Sequence, residues 1–184
     1  MAKQIILASS SPRRQKILKS RDINFSVIKP EVEEVFLQSA KETALENAQR
    51  KANEVFESHK AKIIIASDTV VSLDDKVLGK PKDMQEAKST LTMLSGRSHE
   101  VLTAVSIKSS TKQSTFYEVS KVLFKKLSNK DIENYFKHCN PLDKAGSYNI
   151  DEFGNLIIEA IEGSYENIMG LPIERFLKEL SNHS

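Results

Sequence analysis

The sequence predicts a mixed α/β fold, in which helices cover both sides of a central sheet. In the first half of the chain, short apolar runs alternate with amphipathic segments of helical period. This alternation favours strands joined by helices. Later, residues 99–108 and 114–125 form two neighbouring strand patterns with only a short loop between them. Such neighbours favour direct pairing of the two strands, so the sheet is expected to be mixed.

The chain begins with a predicted strand at residues 3–8 and a predicted helix at residues 12–20. The strand's apolar run stops at three serines, which are strong N-cap residues, and Pro12 is favoured at the first helical position. The free backbone N–H groups and the dipole of that helix end attract anions. Arg13 and Arg14 oppose the dipole, which indicates a strongly negative ligand such as a phosphate chain. The alternative is a serine-capped surface helix with solvated arginines.

The remaining elements follow from hydrophobic periodicity and from the residues that begin or end each helix. Asp83 is expected to cap one helix and Gly96 to close it, with Met84 in its apolar stripe. Ser128 and Asp131 have the spacing of a capping box at the start of another helix. The other predicted strands are 24–29, 62–73 and 155–161, and the other predicted helices are 40–58, 84–94 and a last one that starts at Pro172.

Composition excludes several classes of protein. The 184 residues are enough for one domain with a real core, and residues 1–184 are interpreted as a single domain. A net charge of +2 gives no basic field of the kind that nucleic-acid or membrane-surface proteins carry. The longest apolar run, 63–66, is too short to span a bilayer, and the N-terminus shows no signal peptide. Together with a single cysteine, Cys139, these features predict a cytoplasmic protein without nucleic-acid or membrane partners.

Asp68 is the strongest single candidate for chemistry. It follows the apolar run 63–66 and precedes Val70 and Val71, so a carboxylate interrupts an otherwise buried strand. An unpaired buried carboxylate is costly, and such residues are usually paired, metal-bound or neutralised. The alternative is that the strand ends at Ala66 and that Asp68 is a turn residue.

An acidic group after Pro30 is the second candidate. Glu31, Glu33 and Glu34 lie within four positions of each other in a predicted loop. Carboxylates of this kind suit a hard cation such as Mg²⁺, which binds through one or two carboxylates together with substrate phosphates. The alternative is a solvated acidic loop.

Three further polar residues are candidates. Lys51 lies within the apolar stripe of its helix, so its side chain either extends towards solvent or faces a cleft. Gly79 and Pro81 would stiffen the loop around Lys80 for a fixed ligand, although Gly-Lys-Pro is also an ordinary turn. His99 has no identifiable partner and is interpreted as structural.

Together, these residues are the parts of a metal-dependent triphosphate site. Cations hold phosphates, a metal polarises a phosphoryl oxygen, and a carboxylate orients or deprotonates water. The chain has no Gly-x-x-x-x-Gly-Lys-Ser/Thr run, which excludes a P-loop enzyme.

Six short blocks carry a resemblance that covers nearly the whole chain. The sequence resembles the Maf (septum formation protein) family of nucleoside triphosphate pyrophosphatases. Each block is modestly specific, and all six in this order are very specific. The blocks are Leu7-Ala8-Ser9-Ser10-Ser11-Pro12-Arg13-Arg14, Ala66-Ser67-Asp68-Thr69-Val70-Val71, Gly79-Lys80-Pro81, Leu94-Ser95-Gly96-Arg97, Asp143-Lys144-Ala145-Gly146-Ser147-Tyr148 and Asn167-Ile168-Met169-Gly170-Leu171-Pro172.

The resemblance implies a two-lobed mixed sheet flanked by helices, similar to the inosine triphosphate pyrophosphatases, with the active site in the central cleft. It implies hydrolysis of a nucleoside triphosphate between the α and β phosphates, with Mg²⁺ or Mn²⁺, as a means of clearing unwanted or modified nucleotides. A homodimer is a further possibility, since Phe36 and Phe116 could form a dimer contact or simply cover the core.

The resemblance also implies residue roles. Asp68 would be the general base for the attacking water and a metal ligand. Glu33, with Glu34 beside it, would bind the same metal or position the water. Glu33 and Lys80 would complete the catalytic set. The phosphates would be held by Ser9, Arg13, Lys51 and Lys80.

Substrate preference is implied by a smaller set of residues. Arg13 and Arg14 after a proline, together with Thr69, are similar to the branch that acts on dTTP and UTP. Asp151 departs from that branch, which usually has glutamine there, because an ionised aspartate only accepts hydrogen bonds from a base. The alternatives are a pyrophosphatase for 7-methyl-GTP or another modified nucleotide, and a non-enzymatic nucleotide-binding regulator of cell division.

Overall fold

The computed structural model describes residues 4–183, which form one sheet and the helices that flank it. The strands are β1 Ile5–Ala8, β2 Phe25–Ile28, β3 Ile63–Leu73, β4 Lys76–Leu78, β5 Ser98–Lys108, β6 Gln113–Phe124 and β7 Ile158–Glu162. The helices are α1 Pro12–Lys19, α2 Ala40–Ser58, α3 Met84–Leu94, α4 Asn129–Phe136, α5 Tyr165–Ile168 and α6 Ile173–Ser181. Among the described residues, no helix has both the length and the apolar character needed to cross a membrane.

The strands form one seven-stranded mixed sheet, as the sequence predicted. The order is β2-β1-β3-β5-β6-β7, and β4 pairs with β3 beside this path. β1 pairs in parallel with both β2 and β3, whereas β3, β5, β6 and β7 pair antiparallel in succession. The parallel pairs come from the part of the chain where strands alternate with helices, which is the usual consequence of a helical crossover.

β3 is the central strand, and it is covered on both faces. Ile63 and Ile65 pack in the main core cluster, while Ile64 packs with α2 in a second cluster. Successive side chains of a strand point to opposite faces, so this division places Asp68 on the α2 face and Thr69 on the other. A strand covered on both faces is expected to be apolar throughout, which explains the continuous run before Asp68.

Most predicted elements agree with the structure. α2 has the predicted bounds, the pairing of β5 with β6 is confirmed, and the capping box of Ser128 with Asp131 forms at the start of α4. Asp83 caps α3 through the backbone N–H of Glu86. The first residue of the strand predicted at 3–8 lies outside the described residues.

Some predictions of detail were wrong. The last strand begins at Ile158 rather than at 155, because residues 154–156 form a 3₁₀ turn after Phe153, whose φ is +57°. Met84 is exposed instead of lying in the stripe of α3. The sequence did not predict β4, which follows a two-residue turn in which Asp74 and Asp75 both have positive φ.

The two phenylalanines singled out in the sequence have different environments. Phe116 is 5% exposed and packs in the main core cluster, so it covers the core. Phe36 is 67% exposed and lies in the loop between β2 and α2.

His99 is buried in an aromatic cluster. Its Nε2 lies 2.8 Å from the Tyr148 hydroxyl oxygen, and its ring meets the rings of Phe124 and Tyr148 edge to face. Burial lowers the pKa of His99 to about 4, from an ordinary value of 6.5. The imidazole is therefore neutral at physiological pH, as a structural role requires.

This burial predicts acid sensitivity of the fold. The unfolded chain binds a proton at His99 below pH 6.5, whereas the folded protein binds it only near pH 4. The stabilisation is therefore fully present above pH 6.5 and is lost as the pH falls towards 4, by up to about 3 kcal/mol. Urea unfolding across this pH range measures the effect. His99→Gln should remove this part of the pH dependence, and an unchanged slope in the variant would contradict the assignment.

Candidate active site

A cavity of about 970 Å³ lies where α1, the loop after β2, α2 and β3 meet. Its volume is typical of a pocket for a small organic ligand. Residues 143–152 form another of its walls. The structure brings eight of the nine predicted site residues to this cavity, namely Ser9, Arg13, Glu34, Lys51, Asp68, Thr69, Lys80 and Asp151.

The sheet explains why these residues meet. β1 and β2 are parallel, so Ser9 and the loop after Ile28 leave the sheet at the same edge. β1 pairs with β3 only as far as Leu7 with Ile65. β3 continues beyond that point against β5, which places Asp68 opposite Ala104 and next to the end of β1. Ligands of open α/β sheets bind outside the carboxyl ends of parallel strands, which is the position of this cavity.

Lys51 bonds to two carboxylates that line the cavity. Its Nζ donates to Asp68 Oδ1 and to Glu34 Oε1, each at 2.6 Å. Lys51 is 8% exposed and Asp68 is 6% exposed. Lys51 therefore faces the cleft, and Asp68 is a buried residue within β3 rather than a turn residue.

The charge of Lys51 favours the ionised form of Glu34. Burial would raise the pKa of Glu34, but the hydrogen bond and charge of Lys51 outweigh it, with help from Lys80 and Arg14. The pKa of Glu34 is consequently lower than its ordinary value. The oxygens of Glu34 and Asp68 thus converge on the ammonium group of Lys51.

Arg14 connects three other segments of the chain at the site. Its Nη1 donates to Ser9 Oγ at 3.0 Å, its Nη2 to Thr69 Oγ1 at 3.2 Å, and its Nε to the carbonyl oxygen of Gly170 at 3.0 Å. Burial lowers the pKa of Arg14 to about 10, which still leaves it charged at neutral pH. The sequence pattern named Arg14 only together with Arg13 and predicted no role for Arg14 alone.

Arg13, the neighbouring residue on α1, points elsewhere. Its Nη1 donates to Asn149 Oδ1 at 2.5 Å. Asn149 is buried, and the Tyr135 hydroxyl holds it by accepting from its backbone N–H and donating to its carbonyl oxygen. Adjacent helical residues lie about 100° apart around the axis, so the two arginines hold different walls of the cavity.

The assignment of the chain follows from a comparison with known protein families. The model of the family described as Maf-like protein matches residues 4–183. This chain belongs to the Maf-like family. The dTTP/UTP pyrophosphatase of Bacillus cytotoxicus is 43% identical over 180 residues, which are 97% of this chain and 94% of that protein.

Other Maf-like relatives show the same extent of similarity. The dTTP/UTP pyrophosphatase of Clostridioides difficile is 44% identical over 175 residues, covering 93% of this chain and 90% of the relative. That of Carboxydothermus hydrogenoformans is 45% identical over 180 residues, covering 96% and 97%. The similarity therefore extends over nearly the full length of this chain and of each relative.

Residues 167–172, one of the six sequence blocks described above, form hydrogen bonds that hold residues of the site in place. The carbonyl oxygen of Gly170 accepts from Arg14 Nε and from Ser67 Oγ, the latter at 2.9 Å. Gly170 has a φ of +104°, and a Cβ there would lie 3.1 Å from both Arg14 Nε and Thr69 Oγ1. Glycine is thus needed both for the backbone conformation and for close approach.

Gly170→Ala is expected to damage both stability and the site. The strained φ costs about 1–3 kcal/mol, and the methyl group displaces the Arg14 guanidinium from Thr69. Thermal unfolding and nucleotide binding measure the two effects. Gly154→Ala is the control, since its φ is ordinary and its Cβ would meet the flexible end of Ile158 at 3.3 Å. Equal effects of the two substitutions would argue against this role of Gly170.

Asp151 and Thr69 also face the cavity, with different hydrogen-bond environments. Asp151 Oδ1 is buried and finds no partner among residues 4–183. Thr69 Oγ1 accepts from Arg14 and lies 2.9 Å from Thr103 Oγ1. Because Thr103 donates its own proton to the carbonyl oxygen of Asn167, Thr69 donates to Thr103.

The expected metal set of Glu33, Glu34 and Asp68 is not assembled. Glu33 is exposed and does not line the cavity, whereas Glu34 does. Glu34 turns towards α2, where Lys51 Nζ lies 2.6 Å from its Oε1. Within residues 4–183, no three His, Cys, Asp or Glu side chains are grouped as a metal site. The converging carboxylates are Glu34 and Asp68.

Proposed function

We propose that this protein hydrolyses a nucleoside triphosphate between its α and β phosphates, releasing a nucleoside monophosphate and pyrophosphate. The observation that carries the proposal is the joining of Glu34 and Asp68 through Lys51 in the cavity that also exposes Arg14 and Lys80. We propose dTTP and UTP as the substrates, supported by relatives of that name at 43% to 45% identity. We place the activity in the cytoplasm, where nucleoside triphosphates are made and consumed.

The phosphate chain is assigned to the cationic residues that line the cavity. Arg14 and Lys80 supply positive charge, and Ser9 Oγ lies beside the start of α1. The first backbone N–H groups of a helix have no partners within the helix and favour phosphate. Arg13 contributes its charge from the wall that Asn149 holds.

The residues present fit a divalent cation. Carboxylate oxygens of Glu34 and Asp68 converge on one cationic atom, Lys51 Nζ, at 2.6 Å each. Mg²⁺ and Mn²⁺ prefer oxygen ligands, and Mg²⁺ typically uses one or two carboxylates together with substrate phosphates. Glu34 and Asp68 would hold the ion, which when bound supplies positive charge to phosphoryl oxygens and acidifies a bound water.

Asp68 is assigned as the general base. The oxygen of a water molecule attacks the α phosphorus, the bond from that phosphorus to the bridging oxygen breaks, and Asp68 accepts the water's proton. Pyrophosphate leaves with the bridging oxygen, and Arg14 and Lys80 stabilise its charge. Hydrogen bonds from Lys51 and Asn47 to its two oxygens fix the orientation of the Asp68 carboxylate.

A nucleotide panel tests the proposal. Monophosphate and pyrophosphate are measured after incubation with dTTP, UTP, CTP, ITP or 7-methyl-GTP and either Mg²⁺ or Mn²⁺, with a chelator as the control. Release of pyrophosphate from dTTP and UTP, lost with the chelator, is the expected result. Intact nucleotides throughout the panel, or release of orthophosphate alone, would contradict the proposal.

Asp151 favours a second candidate substrate, 7-methyl-GTP. Its unpartnered Oδ1 lines the cavity and, when ionised, can only accept hydrogen bonds. The pairing edge of 7-methylguanine offers two adjacent donor groups, whereas that of uracil or thymine offers one N–H between two carbonyl oxygens. Preference for 7-methyl-GTP over UTP in the panel would identify this second substrate, and the opposite preference would exclude it.

A further inference from the structure

Helix α2 carries a buried polar stripe along its site-facing side. Thr43, Asn47 and Lys51 are spaced four residues apart, which places them on one face in successive turns. All three are buried, and Asn47 is only 2% exposed. Burial of polar groups is unfavourable unless they form hydrogen bonds, so such a stripe requires partners.

The partners are successive residues of the acidic loop between β2 and α2. Thr43 Oγ1 accepts from the backbone N–H of Leu37 at 3.0 Å. Asn47 accepts from the N–H of Val35 at 2.8 Å and donates to the carbonyl oxygen of the same residue at 3.0 Å. Lys51 binds Glu34 in the next turn. The stripe therefore docks the loop that carries Glu34.

Asn47 makes one more contact, and this contact reaches β3. Its Nδ2 donates to Asp68 Oδ2 at 3.3 Å, on the oxygen that Lys51 does not contact. One amide thus bonds to both segments that carry the carboxylates of the site. Its two N–H groups are used by Val35 and Asp68, and its oxygen accepts from Val35. Because both N–H groups of its amide already bond to the protein, Asn47 holds protein segments together rather than binding a ligand.

We propose that Asn47 is a positioning residue that sets the separation of Glu34 and Asp68, and through it the geometry of the cation that they hold. The catalytic readout of this inference rests on the proposed function, whereas the metal-binding readout does not depend on hydrolysis. Outer partners that orient metal-binding carboxylates typically contribute about 10-fold to 100-fold to metal affinity or activity.

Asparagine suits this position better than residues of similar size. Aspartate could accept from Val35 but would place a second carboxylate against Asp68 and would lose both donated bonds. Leucine would leave the backbone groups of Val35 without their partner and Asp68 Oδ2 without its donor. Asn47→Leu and Asn47→Asp therefore remove the same connection in chemically different ways.

The test compares these two variants with Asn53→Leu. Asn53 lies on the same helix, does not line the cavity, and accepts a hydrogen bond from Lys108 Nζ at 2.6 Å. Mn²⁺ dissociation constants are measured without nucleotide, kcat and KM with UTP, and thermal unfolding for every protein. Asn47→Leu should weaken Mn²⁺ binding and lower kcat by about 10-fold to 100-fold, with a much smaller change in KM. Asn53→Leu, the same substitution away from the cavity, should leave Mn²⁺ binding and kcat unchanged.

The outcomes separate this inference from the proposed function. Weaker Mn²⁺ binding in the Asn47 variants of a protein that hydrolyses no nucleotide would support the positioning role and overturn the function. Mn²⁺ affinity and kcat within about threefold of wild type in a folded Asn47 variant would overturn the positioning role. A wild-type protein that binds no Mn²⁺ would overturn it as well. If Asn47→Leu does not fold, Asn47→Asp, which keeps the size and shape of the side chain, decides.

Discussion

Asp68→Asn is expected to abolish nucleotide hydrolysis while leaving the fold intact. Asparagine keeps the shape of the side chain but cannot take the proton of the attacking water, and general-base catalysis contributes about 10²-fold to 10⁴-fold. Lys51 keeps Glu34 as a partner, so the buried ammonium is not left alone. We expect kcat for UTP to fall by at least that factor, as measured by steady-state kinetics at saturating Mn²⁺, because asparagine also binds less tightly the cation that Asp68 would hold.

Asp83→Asn is the matched control for this variant. Asp83 caps α3 through the N–H of Glu86 and does not line the cavity, and asparagine is an equally good N-cap residue. The same chemical change should therefore leave kcat unaltered there. An Asp68→Asn protein that retained more than about a tenth of wild-type kcat would rule out Asp68 as the general base.

Lys51→Met is expected to impair stability and activity together. It removes the cation between Glu34 and Asp68, and it leaves two facing carboxylates of which Asp68 is buried. Removal of one partner from a buried ion pair costs about 3–5 kcal/mol, and the partial exposure of Glu34 reduces this cost. Because Lys51 orients the Asp68 carboxylate, its loss should also lower kcat/KM, by about 10-fold to 100-fold. Thermal unfolding and initial rates measure the two losses.

Mn²⁺ distinguishes this explanation from a general loss of packing. A divalent cation that binds Glu34 and Asp68 in the folded protein should raise the melting temperature of Lys51→Met more than that of wild type. Lys60→Met is the control, because Lys60 pairs with Glu57 on the surface, where ion pairs contribute little. A Lys51 variant with wild-type stability, or one whose stability is insensitive to Mn²⁺, would contradict the proposed geometry.

Much of the fold follows from local patterns in the sequence. The bounds of α2 and α3, the capping box of α4 and the pairing of β5 with β6 depend on interactions between residues a few positions apart. β4 and the late start of β7 escaped prediction because they depend on turns with positive φ at Asp74, Asp75 and Phe153. Such residues adopt these conformations only where tertiary packing imposes them.

The candidate site was predicted in part. The sequence pointed to Asp68 and Lys51, since each places a charge where the apolar pattern does not accommodate one. It pointed to the acidic loop because three carboxylates lie close together there. The sequence did not indicate Asn47 as a site residue, and it predicted no role for Arg14 alone. Asn47 looks like an ordinary polar residue of an amphipathic helix, and its connection to Asp68 spans 21 positions along the chain.

The sequence by itself determined most of the helices and strands, the mixed sheet and the set of charged residues that the Maf-like blocks contain. Only the tertiary structure decided which member of each neighbouring pair faces the cavity, Glu34 rather than Glu33, and which walls Arg13 and Arg14 hold. The reason is physical. Periodicity and capping are local properties of a few consecutive residues, whereas the direction of a side chain at a loop or helix end depends on partners that folding brings from distant segments.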